Sequence, residues 1–215
     1  RGPLKIGIFG LTSEETAVQS NPLHTGQFCF LAALDVANSL VPGLRKKSDI
    51  VIALTHIGFS QNETSTPGDL TLARTVSGID LIVGGHSHSF LETPNTEGKV
   101  GIVQVKDNGR YLGRADLEFI NGQTILKKYQ AISINKKQDE QKIIPDAAVL
   151  NFLRPFYEKG NATIQKEIGI AEVDFNGERE SIRFQATNLG HLITSAYRQQ
   201  YQADIAILNS GGIRS

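Results

Sequence analysis

Two short apolar runs, each rich in β-branched residues, end in histidine and glycine. The first run ends at His56, and the second continues into Gly84–His88, which reads Gly-Gly-His-Ser-His. Apolar runs of this length are typical of buried parallel strands, whose carboxyl ends meet at one edge of an open α/β sheet, where ligands bind. The sequence therefore predicts that the three histidines of these segments converge at one site.

The three histidines favour a metal site. Two glycines permit a tight turn, and the His-x-His spacing places the imidazoles of His86 and His88 within reach of one metal ion or a close pair. Taken alone, His56 would more often be a structural residue, because imidazole readily bonds to backbone carbonyls. Because the three histidines occur at the ends of two successive strands, we expect His56, His86 and His88 to be metal ligands.

Composition narrows the range of partners. The chain has 215 residues, 40% of them hydrophobic, which is enough for a sizeable core in one or two domains. Its 22 basic and 22 acidic residues balance, so no charged surface for nucleic-acid polymers or anionic membranes is expected. No apolar run approaches the roughly 20 residues that span a bilayer. We therefore expect a small-molecule ligand held by a local site.

We expect this chain to be a piece of a longer protein. It contains no methionine, opens at Arg1 and stops shortly after an apolar run, so we expect its own missing N- and C-terminal parts to be its partners. Cys29 is the only cysteine, which leaves no internal disulfide. Because it lies in an apolar, helix-like stretch, we expect a buried, inert thiol.

The first half of the chain predicts a parallel α/β unit followed by antiparallel strands. The expected parallel elements are a strand at 5–10, a helix from about 26 to 41 that Pro42-Gly43 stops, the strand ending at His56, a helix at 70–77 and the strand ending at Gly84. The expected antiparallel elements are strands at 100–105 and 111–119, joined by the turn Asp107-Asn108-Gly109, and a strand at 125–134 after Asn121-Gly122.

The second half predicts a linker and a second unit. The charged run 136–142 is typical of a solvated linker, and Pro145 suits the first turn of a helix that Pro155 kinks or ends. We then expect a strand near 166–173, a helix at 188–198 and a strand at 204–208, which a Gly-Gly-Ile-Arg loop follows.

Three segments resemble the 5′-nucleotidase family. They are Leu54–Gly58, Gly85–His88, and the stretch from Arg183 through Asn188-Leu189-Gly190 to Leu208–Arg214. In that family a calcineurin-like metallophosphoesterase domain is joined by a helix to a substrate-binding domain. The resemblance implies an α/β fold: the C-terminal half of a metallophosphoesterase α/β sandwich at 1–135, a linker helix at 136–160 and the start of an α/β nucleotide-binding domain at 161–215.

The same resemblance implies two divalent metal ions, zinc, manganese or similar. His56 and His86 would share one ion and His88 would bind the other. The family's Asp-x-His, Gly-Asp and Gly-Asn-His-Asp/Glu motifs supply a bridging aspartate, a further ligand and the catalytic acid, and we expect them upstream of this chain. No catalytic residue is therefore assigned here. Two aspartates, Asp49 and Asp80, begin their strands at the opposite end of the sheet, and Asp69 is typical of a helix start.

Substrate contacts are implied for Arg183, Asn209, Gly212 and Arg214. An asparagine amide can read a base edge, glycine lets a ligand approach the backbone, and arginine can clamp a phosphate with two hydrogen bonds. The alternatives are an ordinary glycine-rich turn with a surface arginine, and an ion pair of Arg183 with Glu178 or Glu180. His191, which replaces a common family residue, is expected to be a packing or surface variant.

The implied activity is hydrolysis of nucleoside 5′-monophosphates by the parent protein, a phosphoric monoester hydrolase, with this chain inactive alone. A 2′,3′-cyclic nucleotide phosphodiesterase or a nucleotide-sugar hydrolase of the same family is an alternative. A non-catalytic metal- or nucleotide-binding module is an alternative of a different class. The resemblance also implies a periplasmic, cell-surface or secreted location.

Overall fold

The computed structural model describes residues 4–59, 67–135, 139–140, 142–165, 167 and 169–213. The chain divides into two compact units, unit 1 at Arg1–Ile144 and unit 2 at Pro145–Ser215. The elements of unit 1 are β1 (Ile6–Thr12), α1 (Thr16–Gln19), α2 (Pro22–Thr25), α3 (Ala33–Arg45), β2 (Ile50–His56), α4 (Asp69–Thr75), β3 (Leu81–Val83), β4 (Asn95–Glu97), β5 (Val100–Val103), β6 (Tyr111–Ile120) and β7 (Gln123–Ser133).

Unit 1 is built on a five-stranded sheet in the order β1-β2-β3-β5-β4. β1, β2, β3 and β5 run parallel, and β4 pairs antiparallel with β5. β1 forms one edge of the sheet and pairs with β2 from Ile6↔Ile50 to Thr12↔His56. This arrangement confirms the predicted α/β fold and places the carboxyl ends of β2 and β3 side by side.

The core lies on the face of the sheet that α3 and α4 cover. Burial alternates along β1, where Phe9 and Leu11 point into the core and Ile6 and Ile8 are exposed, as expected for side chains that project to opposite faces. Side chains with no exposed surface come from both helices and from β2, β3 and β5: Ala37, Val41, Val51, Ala53, Leu72, Ile82 and Ile102. These buried side chains therefore pack the two helices against the central strands of the sheet.

Arg45 and Asp80 fasten the end of the sheet opposite His56. The Arg45 guanidinium contacts the Asp80 carboxylate and donates to the carbonyl of Asp49 at 2.8 Å and to that of Gly78 at 3.1 Å. Asp80 Oδ2 also accepts from the amide of Val51 at 2.7 Å. Asp49 and Asp80 therefore lie where their strands begin, as predicted.

The predicted limits of the first long helix were wrong. α3 begins at Ala33 and continues through Pro42 to Arg45. A proline removes one backbone donor, yet the last turn is retained because Val41 is fully buried and Arg45 makes the contacts described above. Residues before Ala33 lie outside the helix, with Phe28 exposed, and Cys29 is exposed rather than buried.

The predicted pairing of strands at 100–105 and 111–119 was also wrong, although the predicted turn is present, with φ values of 54° at Asn108 and 65° at Gly109. The residues of β5 are all buried and pair with β3 and β4, because an apolar strand gains most from two neighbours in the sheet interior. The second turn prediction is confirmed. Asn121 and Gly122 have φ values of 50° and 75° and join β6 to β7 in a separate two-stranded sheet, as Asn-Gly favours in a two-residue hairpin.

Unit 2 is helical in the residues that the structure describes. Its elements are α5 (Ala147–Ile164), α6 (Arg179–Ile182), α7 (Asn188–Tyr201) and a 3₁₀ turn at Ser210–Gly212. α5 is capped by Asp146, which accepts from the Val149 amide at 3.0 Å, and the helix continues through Pro155. α7 confirms the predicted helix at 188–198. No described helix is long and apolar enough to cross a bilayer.

Two predicted strands of unit 2 were wrong. Described residues within 166–173 and all of 204–208 are irregular. Ile170, Ile205 and Ile207 have between 75% and 91% of their surface exposed. A strand needs a hydrogen-bonded neighbour, and the described part of unit 2 offers these segments none.

Candidate functional site

His56 and His86 lie next to each other at the carboxyl ends of β2 and β3. Their ring centroids are 5.2 Å apart, and the ring planes meet at 75°. His56 is exposed and His86 is partly exposed, so both imidazoles can accept an external partner. Glu15 comes within 4.0 Å of His86 Nε2. The parallel register of β2 and β3 thus brings together two of the three predicted ligands.

His88 has a partner of its own. Its Nδ1 lies 3.0 Å from Oδ2 of Asp107, whose side chain is 19% exposed. A histidine that binds a metal through one ring nitrogen usually engages a carboxylate or carbonyl through the other. With Nδ1 engaged, Nε2 is the nitrogen through which His88 could reach a cation. The sequence placed Asp107 only in a turn, so it missed this contact.

The two histidines of the second segment adopt left-handed backbone conformations. φ is 79° at His86 and 56° at His88, values that non-glycine residues seldom adopt and that concentrate at functional sites. The sequence assigned this role to Gly84 and Gly85. Neither glycine has a positive φ, so the backbone strain lies on the histidines themselves.

The two glycines are instead needed for space. A Cβ atom on Gly84 would overlap Oδ2 of Asp69, and one on Gly85 would lie 3.0 Å from Nδ1 of His56. The loop therefore passes against the side chains that flank the carboxyl end of β2. Any larger residue at either position would displace Asp69 or His56.

Asp69 is the first residue of α4, as predicted, but it is more than a helix start. It has no exposed surface, and its Oδ1 accepts from the hydroxyl of Thr55 at 2.5 Å. Its amide donates to the carbonyl of Gly58 at 2.8 Å. α4 is thereby tied to the residues on both sides of His56. Local sequence does not distinguish a solvated N-terminal aspartate from a buried one, so this role was missed.

These residues fit part of a divalent cation site. Neutral imidazole nitrogens are suitable ligands for zinc and similar ions. Within the described ranges, however, no group of three or more histidine, cysteine, aspartate or glutamate side chains is arranged to hold a metal. The chain offers two adjacent imidazoles and a third that a carboxylate holds, and a binuclear site needs further anionic ligands.

Three of the four predicted substrate residues of unit 2, Arg183, Asn209 and Gly212, lie at one turn. Asn209 accepts from the Gly211 amide at 3.0 Å and so shapes the 3₁₀ turn. The guanidinium of Arg183 approaches the same turn, since its Nη2 lies 3.5 Å from the position of a Cβ on Gly211. Among the described residues, Arg183 makes no ion pair with Glu178 or Glu180. Arg214 lies outside the described residues.

A cavity of about 220 Å³ borders this turn and contains Ser210 and Ile213 in its lining. His191 projects from α7 into the same lining, so it has a place beside the candidate substrate loop that the sequence did not predict. The side chain of Asn188 holds the neighbouring loop. Its Nδ2 donates to the backbone carbonyl of Asp174 at 2.9 Å, and its Oδ1 accepts from the backbone amide of Asn176 at 2.8 Å.

Known proteins resemble this chain in sequence. The sequence model of the family described as 5′-nucleotidase, C-terminal domain, matches residues 162–215. The chain is 36% identical over 247 residues to a 5′-nucleotidase of Vibrio parahaemolyticus, covering 98% of this chain and 44% of that protein. It is 32% identical over 251 residues to Protein UshA of Escherichia coli K12, covering 100% of this chain and 46% of that protein.

The chain resembles the 5′-nucleotidase family along nearly its whole length. It spans less than half the length of these curated relatives. A solved structure of a Staphylococcus aureus protein assigned as a 5′-nucleotidase, in complex with α-ketoglutarate, superimposes with a TM-score of 0.68 at 19% identity. That superposition covers 95% of this chain and 41% of the other, and it supports the 5′-nucleotidase fold along both units.

Proposed function

We propose that this chain is part of a metal-dependent phosphoric monoester hydrolase that converts nucleoside 5′-monophosphates to nucleoside and phosphate. The proposal depends on one observation above all, the side-by-side placement of His56 and His86 at the carboxyl ends of two parallel strands. Similarity to 5′-nucleotidases along nearly the whole chain supports the class of reaction.

His56, His86 and His88 are the proposed metal ligands. Two divalent ions, zinc, manganese or similar, would hold the phosphate, activate a water and stabilise charge on the attacking and leaving oxygens. The residues of this chain would position that chemistry. His56 and His86 present neutral nitrogens close together, and Asp107 holds the His88 ring by Nδ1. The remaining anionic ligands and the catalytic acid would come from outside these 215 residues.

Arg183, Asn209, Gly212 and Arg214 are the proposed substrate residues. Asn209 and Arg183 meet at the turn that precedes Ile213, and guanidinium groups bind phosphate oxygens through paired, charge-assisted hydrogen bonds. Gly212 leaves the backbone open, since nothing lies within 4 Å of a Cβ built there. We assign the metal ligands to a domain at 1–135, the connection to 136–160 and nucleotide binding to 161–215.

The proposal includes a location and a limit on activity. By family resemblance, the parent protein would act in the periplasm or at the cell surface. The 215 residues alone should lack phosphatase activity, because neutral imidazoles cannot balance two dications without a bridging carboxylate, and among the described residues no group of three or more histidine, cysteine, aspartate or glutamate side chains is arranged to hold a metal. Purified chain that hydrolysed phosphomonoesters, with activity lost on chelation and absent from His56→Ala, would contradict this limit.

The decisive experiment separates metal binding from substrate binding in the full-length gene product. His86→Ala should reduce bound metal and turnover together. Arg214→Ala should keep its metal and lose roughly 10- to 100-fold on a nucleoside monophosphate, as expected for a lost charge-assisted hydrogen bond of about 1.5–3 kcal/mol. Its activity on p-nitrophenyl phosphate should be retained.

Two results would count against the assignment. Undiminished metal content and turnover in His86→Ala would remove the metal proposal. Equal activity of Arg214→Ala and wild type on both substrates would leave Gly-Gly-Ile-Arg as a turn. A 2′,3′-cyclic nucleotide and a nucleotide sugar, assayed in parallel, would identify a related hydrolase if either were the preferred substrate.

A further inference from the structure

The side-chain amide of Gln104 contacts the loop that carries His86 and His88 at three points. Gln104 directly follows β5 and is 3% exposed. Its Nε2 donates to the carbonyl of Gly85 at 3.2 Å, and its Oε1 accepts from the Ser87 hydroxyl at 2.9 Å and the Ser89 amide at 2.6 Å. One buried amide thus binds the backbone before His86, the Ser87 side chain between the histidines and the backbone after His88.

The same loop is joined to the segment that follows His56. The Ser87 hydroxyl accepts from the Phe59 amide at 3.0 Å, and the Ser89 hydroxyl donates to the Phe59 carbonyl at 3.2 Å. Gln104 binds the Ser87 hydroxyl from the other side. A continuous series of part-buried hydrogen bonds therefore leads from Gln104, which follows β5, through Ser87 and Ser89, which follow β3, to Phe59, which follows β2.

This network explains how the unfavourable backbone conformations persist. Left-handed φ values at His86 and His88 are retained only when the surrounding contacts stabilise the loop by more free energy than the strained backbone costs. A buried amide with both its donor and its acceptor engaged supplies such a constraint, because leaving either one unpaired is costly.

We propose that Gln104 is a positioning residue that sets the separation of His56 and His86 and the direction in which His88 is presented. It acts through the loop backbone and Ser87 and contacts none of the three imidazole rings in the network described above. The role in metal binding rests on the proposed function, whereas the ordering of the loop does not.

The first measurement uses the metal-free 215-residue chain and amide hydrogen exchange. In Gln104→Ala, the Ser89 amide should exchange at least about tenfold faster, because it loses its acceptor, while the Ile82 amide in the sheet core should keep its rate. Gln104→Glu retains both acceptor contacts and loses the donor, so Ser89 should stay protected. Gln130→Ala, at an exposed position on β7, is the matched control and should change neither amide.

The second measurement uses zinc alone, titrated by calorimetry into the full-length gene product that carries the same substitutions. Gln104→Ala should bind zinc at least about tenfold more weakly than Gln130→Ala, since the ligands are no longer held in place, and His86→Ala should abolish the binding. Gln104→Glu should recover part of the affinity. That partial rescue separates positioning from a general loss of structure, and it provides the test if Gln104→Ala does not fold.

The outcomes distinguish the two proposals. If His86→Ala binds zinc as wild type does, the metal assignment fails, and the exchange data alone decide the role of Gln104 in the loop. If His86→Ala loses zinc while Gln104→Ala keeps both zinc affinity and Ser89 protection, the positioning role is overturned. Equal acceleration of Ser89 and Ile82 exchange would also overturn it, because Gln104 would then only stabilise the fold.

Discussion

Replacement of Thr55 by valine isolates one buried hydrogen bond beside the candidate site. Thr55 is 7% exposed, and its hydroxyl donates to Oδ1 of Asp69, which has no exposed surface. Valine has nearly the shape of threonine, so Thr55→Val removes the donor without opening a cavity. The carboxyl group of Asp69 stays in the interior and cannot turn to bulk water for a replacement.

The expected loss follows from that burial. Removing the donor of a buried hydrogen-bond acceptor costs about 1–3 kcal/mol. Thr55→Val should therefore lower the free energy of unfolding of unit 1 by about 1–3 kcal/mol, roughly a 5- to 150-fold change in the unfolding equilibrium. With a urea dependence of about 2 kcal/mol per molar, the midpoint should fall by about 1 M.

Urea unfolding followed through the NMR signals of β2 reports unit 1 separately from unit 2. Thr55→Ser keeps the hydroxyl and should retain most of the stability. Thr96→Val is the matched control, because Thr96 is exposed on β4, and it should change stability by less than about 0.5 kcal/mol. A Thr55→Val protein as stable as wild type, or a Thr55→Ser protein destabilised as much as Thr55→Val, would refute the reasoning.

Two further variants test the packing of unit 1. Gly84→Ala should lower stability by about 1–3 kcal/mol in thermal unfolding, because its Cβ would overlap Asp69, whereas Gly43→Ala in α3 has nothing within 4 Å and should be neutral or stabilising. Tyr129→Phe should be neutral or stabilising at pH 7, since the hydroxyl is buried without a partner among the described residues. Burial raises the pKa of Tyr129 above its ordinary value of 10.0, so the unfolded chain ionises first and wild-type stability should fall as the pH rises past about 10. The urea midpoint of the wild-type protein should be lower at pH 10.5 than at pH 8, and Tyr129→Phe should lack the part of this decrease that the tyrosine causes. An identical pH dependence of the midpoint in both proteins would contradict the assignment.

The parts of the fold that the sequence predicted are those with a strong local signal. The run that ends at His56 is apolar on both faces, and Asn121-Gly122 favours a single turn type, so β2 and the β6–β7 hairpin were found. The pairing of β5 was missed because its four residues would suit any interior position, and only the tertiary fold selects β3 as the neighbour.

The candidate site likewise has some features that local sequence indicates and others that only the tertiary fold sets. The convergence of His56 and His86 follows from strand order, which the sequence indicates. The roles of Asp69, Gln104 and Asp107 depend on which side chains meet across loops, and no spacing in the sequence encodes those contacts. Glycines 84 and 85 were recognised for the wrong physical reason, because the sequence cannot show which residue of a loop takes the positive φ.

The position of β1 at the edge of the five-stranded sheet affects how the chain behaves at high concentration. An edge strand offers backbone groups to any further strand, and here the outward side chains Ile6 and Ile8 are 54% and 57% exposed. The formal net charge is zero, so electrostatic repulsion between copies is weak. We therefore expect the exposed edge at β1 to promote edge-to-edge association of the chain in isolation.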